Sequence, residues 1–170
     1  MAKKAEHLLQ GITPQRAGLM FPGPPGPEEL PAIVNLAEEM KEYFPGFERG
    51  GFQAALKEKA ARQEVLVIHH HGNIAGCIAY SRETCEIDFL AVAAACRKHG
   101  VASRLLIAAM SEFPVATELS VVTYRAGDPL GAGARRLYQK FGFQEGELLT
   151  AFGYPCQRLT VRVLETLRRF

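Results

Sequence analysis

Apolar and polar residues change their spacing several times along this 170-residue chain, and each change predicts a new element. From Ile33 to Met40 the apolar positions recur every three or four residues, which predicts a helix over residues Pro27 to Tyr43. The proline-rich stretch from Phe21 to Pro27 is expected to be a stiff loop that enters this helix. A second, shorter helix is expected from about Gly51 to Arg62.

Short runs of β-favouring residues predict the strands, and a change to helical spacing predicts two further helices. The strand runs are Glu64 to His70, Ile74 to Ser81, Thr84 to Val92, Leu119 to Tyr124 and Cys156 to Val163. A further strand is expected to begin at Phe143 to Glu145, and an opening strand is expected within Gly11 to Phe21. The helices begin at Val101 and at Ala134, and the second ends at Phe141. This order is typical of an α+β protein built around one mixed sheet.

Length and composition fit a single globular domain over residues 1 to 170. Apolar residues make up 48% of the chain and charged residues 22%, which excludes a disordered protein. The net charge of +2 does not indicate a nucleic-acid partner. No apolar run reaches transmembrane length and no signal-peptide core is recognisable, so we expect a cytoplasmic protein without a membrane partner.

The cysteines and histidines do not form a metal-binding pattern. The four cysteines show neither a C-x-x-C pair nor zinc spacing, and free thiols are the expectation for a protein of the reducing cytosol. His69 and His71 could share one face of a strand, but two imidazoles without an acidic or sulfur partner nearby make an incomplete site. We therefore expect no metal.

The turn between Val92 and Val101 carries the strongest functional signal. Arg97 and Lys98 make it basic, and Gly100 stands where the following helix begins. The first N–H groups of a helix have no partner inside it, and the helix dipole adds positive potential at the same place. These features predict a seat for an anion such as a pyrophosphate. The spacing is neither that of a nucleoside-triphosphate P-loop nor that of a dinucleotide fingerprint.

The sequence Arg97-Lys98-His99-Gly100-Val101-Ala102 resembles the [Q/R]-x-x-G-x-[G/A] motif of the GNAT superfamily of N-acetyltransferases. The resemblance covers about residues 10 to 165. It implies an α+β GNAT fold, in which a mixed, mostly antiparallel central sheet of about seven strands carries helices on both faces. It also implies acetyl-CoA as cosubstrate, with the pyrophosphate at residues 97 to 103 and the pantetheine arm paired with strand backbone at residues 90 to 92.

A second segment, Gly133 to Phe143, resembles the GNAT element A-x-x-L-Y-x-[K]-x-G-F, whose tyrosine faces the cofactor sulfur. By this resemblance Tyr138 gives a hydrogen bond or a proton to the departing thiolate; a thiol has a pKa near ~8.5 and a phenol near ~10. The alternative is that Tyr138 only packs its helix against the sheet. The implied cofactor-binding residues are Leu90, Ala91, Val92, Arg97, Lys98, His99, Gly100, Val101, Ala102, Ser103 and Tyr138.

Acetylation of an amine requires a base, because an alkylammonium group with a pKa of about 10.4 is protonated at neutral pH. The resemblance to histone-acetylating members of the superfamily implies that Glu86 is this catalytic base, with Asp88 in reserve. Regular alternation places Glu86, Asp88 and Leu90 on one strand face, opposite Ile87 and Phe89, unless a bulge breaks the parity. For either carboxylate the alternative is a solvated strand face.

Two positions depart from the family pattern. Gly131 stands where many members have an asparagine seven residues before the tyrosine, and Arg125 or Asp128 could take over its role. Alanines at 93–95 replace the usual proline after the strand. Neither departure removes a step of the chemistry.

The sequence thus predicts an N-acetyltransferase that moves acetyl from acetyl-CoA to a primary amine by direct attack in a ternary complex. The alternatives are a non-catalytic acyl-CoA-binding sensor or interaction module of the same fold, and an enzyme that uses a longer acyl-CoA. The acceptor stays open among peptide N-termini, lysine, polyamines, amino acids and antibiotics. Phe44, Phe47 and Phe52 are either acceptor contacts or packing residues, and the resemblance also allows a homodimer.

Overall fold

The computed structural model describes residues 21–165. Over these residues the chain forms six strands, β1 (Val65–His70), β2 (Asn73–Ser81), β3 (Glu86–Val92), β4 (Glu118–Tyr124), β5 (Gln144–Ala151) and β6 (Tyr154–Arg162). The α-helices are α1 (Leu30–Glu39), α2 (Arg49–Ala61), α3 (Val101–Ser111) and α4 (Ala132–Lys140). The predicted opening strand within Gly11 to Phe21 lies outside the described residues except for Phe21. Shortly after it, Gly23 forms an antiparallel bridge with Val67 of β1.

The strands form one sheet in the order β1-β2-β3-β4-β6-β5. β3 and β4 run parallel, and every other neighbouring pair is antiparallel. A parallel pair needs a crossover connection, which α3 supplies here. The predicted α+β fold with a mixed, mostly antiparallel sheet is confirmed, with six described strands against the expected seven or so.

Helices cover both faces of the sheet, as predicted, and each face has its own apolar core. On the face that carries α3 and α4, the core includes Leu105, Leu106, Tyr138, Ile87 and Leu159. On the face that carries α1 and α2, the core includes Ile33, Leu56, Val67, Cys77 and Phe89. The second core is formed by strands β1 to β3, so α1 and α2 lie over that half of the sheet.

Several element boundaries differ from the predicted ones because local backbone geometry decides where a helix begins. The predicted helix over Pro27 to Tyr43 is an α-helix only from Leu30 to Glu39, with 3₁₀ turns on both sides. The helix predicted from Gly51 begins earlier, at Arg49, because the Glu48 carboxylate accepts the N–H groups of Gly50 at 2.8 Å and Gly51 at 2.6 Å. α4 and β6 likewise begin two residues earlier than predicted.

The cysteines and histidines are used in packing and pairing. All four cysteines are free, and Cys77 and Cys156 are buried. His69 pairs with Glu29, and His70 Nδ1 lies 3.8 Å from Cys96 Sγ. Across residues 21–165, no group of three His, Cys, Asp or Glu side chains comes together in a way that could hold a metal ion. None of the helices described is long and apolar enough to cross a bilayer.

Candidate active site

A wedge-shaped gap opens between the two parallel strands at the centre of the sheet. β3 pairs with β4 only at Glu86, opposite Ser120, and at Ile87, opposite Val121. Beyond Ile87 the two strands diverge, although β3 continues to pair with β2 as far as Val92. The β4-facing edge of residues 88–92, which includes the predicted Leu90, Ala91 and Val92, therefore has no strand partner among the residues that the structure describes. An extended ligand could pair with this edge as an additional strand.

A β-bulge at Asp88 lies where the gap begins, so the regular alternation of β3 is broken, which is the alternative that the sequence left open. The pairing with β2 steps from Tyr80–Ile87 to Ala79–Phe89, which leaves Asp88 as the extra residue. As a result Ile87 faces the α3/α4 core while Phe89 faces the α1/α2 core. Regular alternation would place both residues on the same face. Glu86 and Asp88 thereby lie on the same side as Phe89.

The turn before α3 is an array of free backbone donors. Gly100 caps the helix with a left-handed backbone (φ 80°), and Lys98 is also left-handed (φ 62°). Within the described residues, the backbone N–H groups of residues 98–103 make no hydrogen bond to backbone, since the first bond of this helix runs from Arg104 N to Gly100 O. Six unpaired donors at a helix N-terminus favour an anion.

These donors border a cavity of about 330 Å³. Its walls are formed by Val92, Cys96, Arg97, Lys98, Gly100, Val101, Ala102, Ser103 and Lys140. Seven of the predicted cofactor residues are thus brought together here, whereas His99 is exposed beside the cavity. The Arg97 guanidinium is held over the ring of Tyr43, 5.5 Å from its centroid. The unpaired donors and three cationic side chains suit a ligand with more than one phosphate.

Lys140 is the cavity residue that sequence reasoning missed. It is the last residue of α4, and it reaches the cavity from a different element than the predicted turn. Its sequence signal was the lysine position of the second motif, two residues after Tyr138. A basic residue in the last turn of a helix has a ready alternative explanation as a partner of the helix dipole, so its spacing alone did not assign it to a ligand.

The two candidate bases are each paired with a cation on the α1/α2 side of the sheet. Glu86 Oε2 lies 3.3 Å from Nη1 of Arg158 on β6, and the same Nη1 is 3.2 Å from Ser120 Oγ. Asp88 Oδ2 lies 2.7 Å from Nζ of Lys59 on α2. The Lys59 ammonium also donates to the Tyr80 carbonyl at 3.0 Å, which fixes it against β2. Both carboxylates are therefore part of ion pairs instead of a simple solvated strand face.

Tyr138 is buried, with 4% of its surface exposed, and its ring packs 5.2 Å from that of Phe143. Burial raises the pKa of its hydroxyl well above the ordinary phenol value. The hydroxyl accepts and donates no hydrogen bond within residues 21–165. A group of this kind stays protonated at neutral pH, so it is suited to donating a hydrogen bond more than to releasing its proton.

The position of Tyr138 is set by a buried arginine on the same helix. Arg135 donates to the Tyr124 carbonyl and to Gln157 Oε1, each at 3.0 Å, and it pairs with Glu145. These three partners belong to β4, β6 and β5, so the guanidinium fastens α4 to three strands. Removing it would leave a buried carbonyl and a buried amide without their partner.

The glycine at position 131 is required by close packing. A Cβ there would lie 2.5 Å from Cβ of Tyr124, so the asparagine of the GNAT pattern does not fit without a shift of β4. The two residues considered as substitutes are engaged locally. Arg125 donates to the carbonyls of Cys156 and Leu149, and Asp128 accepts the Tyr154 hydroxyl at 2.8 Å.

The three phenylalanines between α1 and α2 pack as a cluster against the sheet. Phe44 and Phe52 stack on Phe89 with ring centroids 4.5 and 4.9 Å apart, and Phe47 lies 5.5 Å from Phe52. The neighbouring bend meets the β5–β6 turn, where the exposed Phe152 lies against Gly46. These rings pack together on the face of the sheet to which Glu86 and Asp88 also project, and their contact with an acceptor stays a prediction.

Comparisons with known proteins agree with this architecture. The model of the acetyltransferase (GNAT) domain matches residues 61–145, which is half of the chain. No curated protein matches the sequence. Among solved structures, Ard1 from Thermoplasma volcanium aligns with a TM-score of 0.71 at 19% identity, over 88% of this chain and 100% of that one.

Two further structures were solved with ligands. The putative acetyltransferase yncA from Salmonella typhimurium, with its cofactor acetyl-CoA, has a TM-score of 0.67 at 13% identity and covers 87% of this chain and 95% of its own. The NatC complex bound to Gag peptide and CoA has a TM-score of 0.65 at 17% identity, over 85% and 98%. At these identities the structural likeness establishes the fold, and the domain model establishes the family. The chain belongs to the GNAT acetyltransferase family.

Proposed function

We propose that this protein transfers the acetyl group of acetyl-CoA to a primary amine by direct attack in a ternary complex. The observation that carries the proposal is a single continuous path. The unpaired edge of β3 leads at one end to the donors of residues 98–103 and at the other to Glu86. The family membership and the acetyl-CoA bound to yncA support the same cosubstrate.

The residues of the cavity fit the phosphates of coenzyme A. Arg97, Lys98 and Lys140 supply positive charge, and the N–H groups of residues 98–103 supply directed hydrogen bonds. The free edge of β3 at Leu90 to Val92 would hold the extended arm. When bound, acetyl-CoA supplies an acetyl group activated as a thioester.

In this proposal Glu86 is the catalytic base. Its carboxylate accepts the proton that the acceptor's ammonium must lose before it attacks, directly or through water. Asp88 is the reserve candidate, but its contact with Lys59 is shorter and that lysine is itself anchored on β2. Tyr138 donates a hydrogen bond from its hydroxyl to the sulfur as negative charge develops there.

One observation favours a second candidate function. Both carboxylates are already paired with cations, as expected for a non-catalytic acyl-CoA-binding module that has no use for a base. A module of this kind would bind acetyl-CoA as well as an enzyme does. It would release no coenzyme A in the presence of amines.

The test uses the purified full-length chain in two steps. A thermal-shift assay with acetyl-CoA, coenzyme A and ATP in parallel should give a rise with the two coenzyme A species alone. At a hundred times its dissociation constant a ligand adds about 2.7 kcal/mol to the free energy of unfolding. For a domain of this size that corresponds to a rise of roughly 5–10 °C.

A panel of amines is then assayed for release of free coenzyme A thiol. Amine-dependent release supports the enzyme, whereas binding without release by any amine supports the module. No thermal shift with folded protein would refute both functions. A cytoplasmic location, for which the free thiols of all four cysteines give some support, and homodimerisation both stay predictions.

A further inference from the structure

The side chain of Arg158 lies beside Glu86, close to where the gap begins, and contacts residues of three other strands. Its Nη1 contacts Glu86 on β3 at 3.3 Å and Ser120 on β4 at 3.2 Å, while its Nε contacts Glu147 on β5 at 3.0 Å. Within the described residues, Nη2 has no hydrogen-bond partner. One end of the guanidinium therefore holds the proposed base, and the Nε–Nη2 edge is only half used.

Glu147, the partner of Nε on this edge, can be displaced easily by another carboxylate. Glu147 belongs to the edge strand β5, and 66% of its side chain is exposed, against 26% for Glu86. Exposed ion pairs contribute little to stability, because water solvates both charges well. A planar carboxylate that binds Nε and Nη2 together makes two parallel hydrogen bonds, which is the stronger geometry for arginine.

The charges nearby disfavour a polycationic acceptor. Asp88 is neutralised by Lys59 at 2.7 Å, and Glu86 by Arg158. Neither of these carboxylates is left to hold a second ammonium group. An acceptor with two or more positive charges would also meet Arg158 itself.

We propose that Arg158 binds a carboxylate of the acceptor, and that the acceptor carries this carboxylate close to its amine, as an amino acid or a peptide with an acidic residue at its N-terminal end does. Glu147 gives up the Nε–Nη2 edge when the acceptor binds. The guanidinium then holds the acceptor's carboxylate on one edge and Glu86 on Nη1, so an amine beside that carboxylate reaches the base. This inference rests on the proposed function and specifies its acceptor class.

The test compares matched acceptors that differ by the carboxylate alone. Free L-amino acids, the same amino acids as carboxamides, dipeptide amides with an acidic side chain, and the diamine cadaverine are assayed with acetyl-CoA. We expect kcat/KM for the carboxylate-bearing acceptors to exceed that for the neutral carboxamides by about 10- to 100-fold, the range for a hydrogen bond to a charged group. Whether free amino acids or acidic dipeptide amides are the better substrates identifies the source of the carboxylate, and either result supports the proposal.

Because Arg158 also holds Glu86, a loss of activity in Arg158→Gln is not diagnostic by itself. The diagnostic quantity is kcat/KM for the acid divided by kcat/KM for its carboxamide. This ratio should fall to near one in Arg158→Gln, mainly because KM for the acid rises. Arg158→Lys should keep part of the wild-type ratio. Arg162→Gln is the matched control, since Arg162 is an exposed arginine four residues further along β6. It should keep the wild-type ratio.

A binding measurement makes the test independent of turnover. Isothermal titration of the coenzyme A-loaded protein with an N-acetylated amino acid should show affinity that Arg158→Gln lowers by about tenfold or more. Equal kcat/KM for acids and carboxamides, preference for cadaverine, or a ratio unchanged in Arg158→Gln would overturn the inference and leave the acetyltransferase proposal intact. Absence of coenzyme A release with every acceptor would overturn both.

Discussion

The two ends of the gap between β3 and β4 differ in the groups that form them, which are backbone N–H groups at one end and side chains at the other. The end that we propose to bind the phosphates is made of backbone donors from one turn, residues 98–103, with basic side chains at its rim. The end that we propose to bind the acceptor is made of side chains from separate elements, and its central pair, Glu86 and Arg158, is 72 residues apart in sequence. A ligand group shared by a whole family can be bound by backbone, whereas a group that differs between members must be selected by side chains.

The largest loss of activity is predicted for a substitution at the acceptor end. Replacing Glu86 by Gln removes the proposed base and should lower kcat with the best acceptor by about 10²- to 10⁴-fold, the usual contribution of general acid–base catalysis. Affinity for acetyl-CoA, measured by titration calorimetry, should stay within about twofold of wild type. Glu118→Gln on β4 is the control, since it removes an exposed carboxylate from a neighbouring strand. Full turnover in Glu86→Gln would transfer the role to Asp88 or remove it altogether.

Tyr138 is the proposed hydrogen-bond donor to the sulfur, and its replacement by Phe should have an intermediate effect. Loss of a hydrogen bond to a developing charge should lower kcat by about 10- to 100-fold, with little change in KM for the acceptor. Since burial raises the pKa of Tyr138, the hydroxyl stays protonated beyond its ordinary range. The pH profile of the wild type should therefore show no loss of activity from ionisation of this tyrosine up to about pH 10. An unchanged kcat in the variant would leave Tyr138 as a packing residue.

The phosphate end can be tested with two glycines in the same backbone conformation. Gly100 and Gly72 have φ values of 80° and 78°, and a Cβ at either position would meet no atom within 4 Å. An alanine at either should cost about 1–2 kcal/mol of unfolding free energy through left-handed strain. Only Gly100→Ala should also weaken binding of coenzyme A, by about tenfold, because relief of the strain turns the donors of residues 98–103 away. Equal affinities in the two variants would mean that this turn does not bind the phosphates.

The smallest effect is expected from a change outside both ends. The pKa of Glu29 is lowered by its hydrogen bond to His69, helped by the Gly26 N–H. A lowered carboxyl pKa stabilises the fold above the unfolded value of about 4.5, and this contribution is lost as the pH falls through the lower folded value. Glu29→Gln should reduce the unfolding free energy at pH 7 by up to about 1 kcal/mol and make no difference near pH 2. Urea unfolding at the two pH values measures this, and turnover should not change.

The same contrast explains how far the sequence could be interpreted. The order of elements, the sheet and the phosphate turn were predictable because each depends on a short contiguous pattern, such as the basic start and Gly100 before an apolar helical face. A bulge in β3 could be considered but not placed at Asp88, since one extra residue in a strand leaves no mark in composition. Arg158 was missed for a related reason. Its role appears only when β6 is placed beside β4, and the intervening residues say nothing about that contact.

The irregular pairing of β5 with β6 has a consequence for how this site could change during evolution. The pairing of β5 with β6 slips at Gly146 and Glu147, where two residues stand opposite Arg158. Deletion of Glu147 would restore regular pairing, keep the residues on either side on their present faces, and leave Gly146 opposite Arg158. The carboxylate beside Arg158 could thus be lost by a single codon deletion on a surface strand. Acceptor preference in such a scaffold can diverge by a change of length, while the phosphate end and the base stay as they are.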